Sequence, residues 1–519
     1  MLSTVDLSIV VLYALALFGL AQWVSREKPG HEKDASDYFL AGKALPWWAI
    51  GASLIAANIS AEQIIGMSGS GYAIGLAIAS YEWMAAINLI LVGKFLLPVF
   101  LKTGIYTMPQ FLEQRYDHRV RIVMACFWLG VYVFVNLTSI LWLGALATNT
   151  VAGVDLTLAL VLLGAFAVSY SLYGGRKAVA LPDIIQVVLL VAGGLMIAVI
   201  LLEKVSGGAG VVDGFVTLME TVPDRFDMIL APDHPHYMSL PGLSVLIGGM
   251  WVMNVSYWGF NQYIIQRALA AKSVAEAQKG IAFAAFLKLL MPLIVVLPGI
   301  AMFALNANLA APDQAYPSAM ALLPAGIKGL VFAALLAAIV SSLASMCNSI
   351  STIFTVDLLP SLASPEWLER NRVFSGRVTA LVAMAIAMLA AKPLLGNFDQ
   401  AFQYIQEFTG FFTPGIVAIF LLGMFWAKTT ATGALLAAVA SAVLSLAMKL
   451  LLPTLPFIDR VGVVFLSCVA IAVIWSLLRP QPQPGFLQPS GVSFATSGGF
   501  NGSAVVGSSL LVFFYTVWW

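Results

Sequence analysis

The chain has 519 residues, 61% of them hydrophobic and only 10% charged, with a net charge of +1. Soluble domains carry about 25% charged residues, so the composition excludes an ordinary soluble protein and identifies an integral membrane protein. The near-zero charge gives no reason to expect a nucleic-acid partner.

Windows of about 20 apolar residues give fourteen expected spans, at 5–24, 47–70, 73–99, 119–148, 155–174, 182–202, 242–268, 274–306, 323–355, 372–391, 398–425, 430–451, 457–479 and 500–518. The opening MLSTVDLSIV has no basic n-region, so no cleaved signal peptide is expected. With the first connection placed in the cytoplasm and the rest alternating, cytoplasmic ends hold nineteen Lys and Arg and the opposite ends six, with Lys288 inside a span. Positive charge gathers on the cytoplasmic side, so both termini are expected outside and the span count even. The long connection 203–240 then lies outside as an acidic, aromatic cap. Cys126, Cys347 and Cys468 all fall inside apolar spans and read as packing rather than a disulfide framework. The four histidines lie between spans without metal-binding spacing, so no catalytic metal is expected.

Two spans are interrupted by polar residues. The second, GASLIAANISAEQIIGMSGSG at 51–71, carries Asn58, Ser60, Glu62 and Gln63 at bilayer depth. A charged side chain there costs roughly 2.5–3.5 kcal/mol on insertion scales. Irregular backbone at that depth survives only beside protein or a water-filled cavity. The stretch therefore reads as a broken helix lining a central polar site; a helix start whose polar groups reach the interface is the alternative. The seventh span holds Trp251, Asn254, Ser256, Tyr257, Trp258, Asn261 and Gln262. Matching interrupted spans in two halves of a chain point to an inverted-repeat transporter with its site near the midplane.

Two constellations bear chemistry. Backbone carbonyls freed around Ala56, Ala57, Asn58 and Ile59, with the adjacent hydroxyls of Ser341 and Ser342, offer neutral oxygens suited to a small monovalent cation rather than calcium. The competing reading is that both serines bond back to the carbonyl one turn earlier. Gln63, Tyr81, Glu82, Asn254, Tyr257, Trp258, Lys288, Gln403 and Gln406 combine amides, an acid, a base and flat rings. That set suits a neutral polyhydroxylated molecule; Glu82 and Lys288 also read as a structural ion pair. Asp183 opens the sixth span, either helping an ion leave or capping the helix. Ser345 is placed to join it in a second ion site. No nucleophile–base pair suggests an enzyme, so none is expected.

The string DYFLAGKALPWWAIGASLIAANIS at 37–60 resembles the signature of the sodium:solute symporter family, to which the sodium/glucose cotransporters belong. Further likeness lies in YSLYGG at 170–175, WGFNQYIIQR at 258–267, FAALLAAIVSSLASM at 332–346 and AFQYIQEFTG at 401–410. The stretches at 68–84 and 261–273 look most similar to bacterial sodium/galactose symporters.

The resemblance implies an all-α membrane protein of 14 transmembrane helices with a leucine-transporter-like, five-plus-five inverted-repeat core and broken helices 2 and 7. Its parts would be 1–46 (first helix and cytoplasmic loop), 47–202 (first repeat), 203–240 (extracytoplasmic loop), 241–426 (second repeat) and 427–519 (peripheral helices 12–14). Sodium, the co-transported ion, would bind the carbonyls of Ala56, Ile59 and Ala338 and the hydroxyls of Ser341 and Ser342. A hexose, galactose or glucose, would bind Gln63, Glu82, Asn254, Lys288 and Gln406. Tyr257 would stack on the sugar as the inner gate beside Trp258, steadied by Asn58. Met67, Tyr81 and Phe402 would close the outer side. The implied activity is sodium/hexose symport by alternating access in a bacterial inner membrane, with membrane lipid as surroundings; no oligomeric state is implied. The alternatives are a symporter for another small polar solute and a sugar sensor that does not concentrate its ligand. Two positions depart from the family pattern. Ala85 stands where a serine contacts sugar, and Pro182 stands where threonine is usual before Asp183.

Overall fold

The structure is a computed structural model and describes residues 2–25, 46–105, 108–174, 180–306, 308–396, 398, 400–483 and 491–519. The first part of the 37–60 string and the side chain of Asp183 lie outside the described residues. Every regular element described is helical, as an apolar chain in lipid requires: each buried backbone N–H and C=O must be paired within its own segment.

Among the described residues, nine helices are long and apolar enough to cross a membrane, and eleven when each of two bent pairs counts as one span. The other three expected windows hold Thr4–Ser25, Leu156–Gly174 and the interrupted run through 244–269. Within the described residues the first two count as shorter apolar helices, Thr4–Ala16 and Leu156–Ser171, and the third is interrupted, so all three stand outside the eleven.

The second span is broken as expected. Trp47–Asn58 and Glu62–Ala73 meet at 66°, and Ile59 leaves the helical region at φ −72°, ψ 89°. No Gly or Pro marks this break. Asn58 and Ser60 flank it, side chains that compete with the helical hydrogen-bond ladder. The seventh span runs as Gly249–Val255, a π-helical turn Ser256–Phe260, an extended Asn261 and Gln262–Leu269. A third break appears where the sequence reading placed one continuous span: Ala401–Thr409 and Thr413–Phe425 bend by 46°. Pro414 opens the second of these helices, where its missing N–H costs nothing.

Small residues let helices close on the broken second span. A Cβ on Gly299 would fall 2.1 Å from the Ser68 carbonyl oxygen, so Val274–Ala304 lies directly on Met67–Ala73. This is the small-residue packing of membrane interiors, where backbone proximity rather than water exclusion drives association.

Four contacts tie one face of the molecule together. Asp6 accepts from Gly326 N (2.7 Å) and Gly329 N (2.9 Å) at the start of Ile327–Ile353. Asp313 accepts from Ala401 N at 2.9 Å. Arg225, in the connection after the sixth helix, donates to the Tyr72 and Ala73 carbonyls and lies 3.7 Å over the Phe303 ring. Met228 N donates to Trp518 O at 2.8 Å. The described ends of the chain and the 203–240 segment therefore share this face.

Candidate functional site

Three π-helical turns, Glu62–Gly66, Tyr132–Leu137 and Ser256–Phe260, face a single polar cavity. Such turns insert an extra residue and re-aim side chains, which is why they gather at functional sites. The cavity measures about 110 Å³, room for a cluster of waters or one small solute and far short of a lipid tail or peptide.

All seven residues assigned to the solute line this cavity: Asn58, Gln63, Glu82, Asn254, Tyr257, Lys288 and Gln406. So do Tyr81, Trp258 and Phe402 of the gate set. They arrive from the second, third, seventh, eighth and eleventh spans. Met67 stands just outside, fully buried, and its sulfur accepts from Gln63 Nε2 at 3.2 Å. Gln403 is turned away: both atoms of its amide are buried with no hydrogen-bond partner among the described residues.

One chain of polar contacts organises the wall. Lys288 Nζ donates to Glu82 Oε2 at 2.5 Å and to Asn58 Oδ1, and lies 5.1 Å from the Trp258 ring centre. Asn58 Nδ2 in turn donates to the Tyr257 hydroxyl at 3.1 Å. The ion pair expected as one reading of Glu82 and Lys288 is therefore present, and it also faces the cavity. Lys288 is 0% exposed and Glu82 3%. Removing a charge from water at that depth is costly, so each depends on the other and on Asn58 for its existence as an ion. Because Asn58 sits at the second-span break, the state of that break is felt at both the ion pair and Tyr257.

Replacing Tyr257 with Phe keeps the ring and removes the oxygen that accepts from Asn58. A hydrogen bond is worth about 0.5–1.5 kcal/mol, so the half-saturating solute concentration is expected to shift by roughly two- to tenfold while the melting temperature stays near wild type. Uptake kinetics beside thermal unfolding check this.

Opposite, Tyr81 and Phe402 meet edge to face at 5.0 Å between ring centres. Tyr81 is 6% exposed and Phe402 4%, so this side of the cavity is shut. Ala85 also lines the cavity and presents a methyl group to it.

The fourth span contributes what the sequence reading left out. Tyr132 donates to Asn261 Oδ1 at 2.8 Å, and Asn136 Nδ2 lies 3.5 Å from Glu62 Oε1; all four line the cavity, with Trp128 beside them. Asn136, the one amide in the middle of that window and followed by Thr138 and Ser139, was the available signal.

The residues assigned to the ion fall in two buried groups. Ala56 and Ile59 flank the break, and Ala338, Ser341 and Ser342 occupy consecutive turns of Ile327–Ile353. Ile59 N bonds to Ile55 O, the last rung before the break, so the carbonyl of Ala56 lies in the final turn of the helix, where carbonyls run out of intrahelical partners. Ser341 also lines a second, largely apolar cavity with Gln186 and Tyr170.

A membrane body helical throughout its described residues, with interrupted spans from two parts of the chain meeting at a polar cavity, defines a secondary transporter of the leucine-transporter-like fold. A sodium-coupled sialic acid symporter, solved in a substrate-bound outward-open state, superposes with a TM-score of 0.78 at 24% identity, over 93% of this chain and 99% of that one. A nucleobase-cation-symport-1 family transporter in a closed conformation superposes with a TM-score of 0.54 at 15% identity, over 91% and 99%. These likenesses establish the fold.

The model of the sodium:solute symporter family matches residues 38–440, and the chain belongs to that family. A sodium/glucose cotransporter of Vibrio parahaemolyticus is 49% identical over all of this chain and 99% of its own length. Sodium/glucose cotransporter 4 of Danio rerio is 32% identical over 83% of this chain and 70% of its own. The sodium/myo-inositol cotransporter of Mus musculus is also 32% identical, over 87% and 67%. The protein is a multi-pass membrane transporter that moves a sugar or other small solute together with sodium.

Proposed function

We propose that the protein concentrates a neutral hexose, galactose or glucose, by sodium symport across the bacterial inner membrane, with both termini outside. The observation that carries this reading is the cavity wall itself. It has a mutually neutralised Glu82–Lys288 pair, amides at Gln63, Asn254 and Gln406, and aromatic faces at Tyr257 and Trp258. Neutralised charge disfavours an ionic solute; amides donate and accept to hydroxyls; an aromatic face covers the apolar side of a sugar ring.

Sodium held by Ala56, Ile59, Ala338, Ser341 and Ser342 keeps the second span broken in the shape that presents Asn58 and Gln63. Solute binding then lets Met67, Tyr81 and Phe402 close the outer side. Sodium leaves inward, aided by Asp183, the break relaxes, and Asn58 releases Tyr257 so that the solute exits. The two repeats, 47–202 and 241–426, rock about this site. One charge crossing 100 mV supplies about 2.3 kcal/mol and a tenfold sodium gradient about 1.4 kcal/mol. Together these sustain a solute gradient of several hundredfold.

Ala85 bears on which solute is preferred. A polyol reading draws on the myo-inositol relative, since a cyclic polyol has the same hydroxyl chemistry. The test is uptake of labelled galactose, glucose and myo-inositol into proteoliposomes, with sodium gradients and with lithium, potassium and proton gradients as controls. A hexose accumulating transiently only with sodium is the expected result. Accumulation of myo-inositol alone makes the site a polyol site, and binding without accumulation makes the protein a sensor; either overturns the hexose-symport reading.

A further inference from the structure

We infer that Asp313 is the positioning residue that holds the outer gate shut, an inference that rests on the alternating-access reading above. Asp313 belongs to a short helical turn, Pro312–Gln314, in the connection between Val274–Ala304 and Ile327–Ile353. It is only 3% exposed, an unusual place for a carboxylate on an interhelical connection, where side chains are ordinarily solvated.

Its two oxygens face the two half-helices that carry the gate. Oδ2 accepts from Ala401 N at 2.9 Å, the first residue of Ala401–Thr409. Helix amide ends carry partial positive charge, so a carboxylate there is doubly favoured, as acceptor and as anion. The next residue, Phe402, is the ring that stands against Tyr81. On the other side, a Cβ built on Gly69 would fall 2.3 Å from Asp313 Oδ1 and 2.8 Å from its Cα. Only glycine lets the second span seat itself there, and Gly69 lies in the half-helix that begins at Met67.

One side chain outside the cavity thus joins the half-helix bearing Phe402 to the half-helix bearing Met67. Tyr81 stands on Ser80–Leu91, so the link acts on the seam between Phe402 and the second span, where a Cβ on Gly66 would fall 3.3 Å from Phe402 Cβ. Moving Phe402 off that seam to open the gate separates the two half-helices and breaks the Ala401 bond or unseats Gly69. Asp313 touches neither solute nor ion, so its loss shifts the balance between closed and open outer gates and leaves the binding groups intact. A ligand that binds the open-outside state gains apparent affinity when that state is more populated.

The test uses the full-length protein in liposomes, with exposed Cys126 replaced by Ser. Spin labels at Glu220→Cys, in the segment pinned to the second span by Arg225, and at Phe398→Cys, just before Ala401–Thr409, report the separation. Asp313→Ala is expected to move the distance distribution toward longer values without sodium or solute. It should also lower the half-saturating sodium concentration several-fold, with a reduced maximal rate. Asp313→Asn keeps an acceptor for Ala401 N and loses the charge, so it should fall between Ala and wild type in both readouts. A folded Asp313→Ala protein with wild-type distances and sodium dependence overturns the assignment. If Asp313→Ala does not fold, wild-type behaviour of Asp313→Asn in both measurements overturns it equally. The distance measurement needs no solute, so failure of the hexose reading leaves this result standing or falling by itself.

Discussion

Replacing Lys288 with Met is expected to abolish solute uptake and to destabilise the protein by about 3–5 kcal/mol, the usual cost of stripping one partner from a buried ion pair. The reason is the carboxylate left behind. Glu82 is 3% exposed, and its described ionic partner is Lys288, 2.5 Å away. Without that ammonium it must either stay charged in a low-dielectric site or take up a proton. The pair itself adds little net stability, since desolvating both ions offsets their attraction. The double replacement Glu82→Gln with Lys288→Met is therefore expected to recover most of the lost thermal stability. Uptake should not return, because the ammonium also holds Asn58, and through it Tyr257. Thermal unfolding of the purified single and double variants, beside proteoliposome uptake, separates the two roles. A single variant that melts like wild type would show that Lys288 and Glu82 are not a desolvated pair.

Ser342→Ala is expected to abolish sodium-driven accumulation, or to raise the half-saturating sodium concentration at least tenfold, while the melting temperature stays close to wild type. Ser342 is 7% exposed and its hydroxyl is a single small group, so little packing is lost with it. The proposed site is built from neutral oxygens, and losing one of about five leaves the cation under-coordinated with no carboxylate to compensate. Ser349→Ala on the same helix is the control. Its hydroxyl donates to the Ser345 carbonyl at 3.0 Å, the back-bonding that many membrane-helix serines make, so sodium dependence should not change. Sodium dependence in Ser342→Ala indistinguishable from wild type would remove Ser342 from the ion site.

The breaks at Asn58–Ser60 and through Ser256–Asn261 were legible because polar residues at bilayer depth announce themselves one position at a time. The bend between Thr409 and Thr413 was not. Its markers, Gly410 and Pro414, are common in membrane helices, and neighbouring helices often absorb them without a break. Tyr132 and Asn136 were missed for a related reason. A single amide on a long apolar helix has no local sign of which way it points, and only the π-helical turn at Tyr132–Leu137 aims it at Glu62. Gln403 shows the converse. It has the right chemistry and lies three residues from Gln406, yet it is buried off the cavity.

By itself the sequence determined that this is a membrane protein, where its apolar helices run, and which two spans are interrupted. It also carried the family strings and the residue types of the candidate site. These are properties of short windows, because the cost of placing a polar group in lipid is met wherever that group stands. Tertiary structure alone decided which of the scattered polar groups meet. Lys288 and Glu82 are 206 positions apart, and Asn58 and Tyr257 are 199 apart. Nothing in either local window sets the rotation of one helix against another. That rotation follows from close backbone contacts such as Gly299 on Ser68 and Gly69 on Asp313, which exist only once the helices are packed.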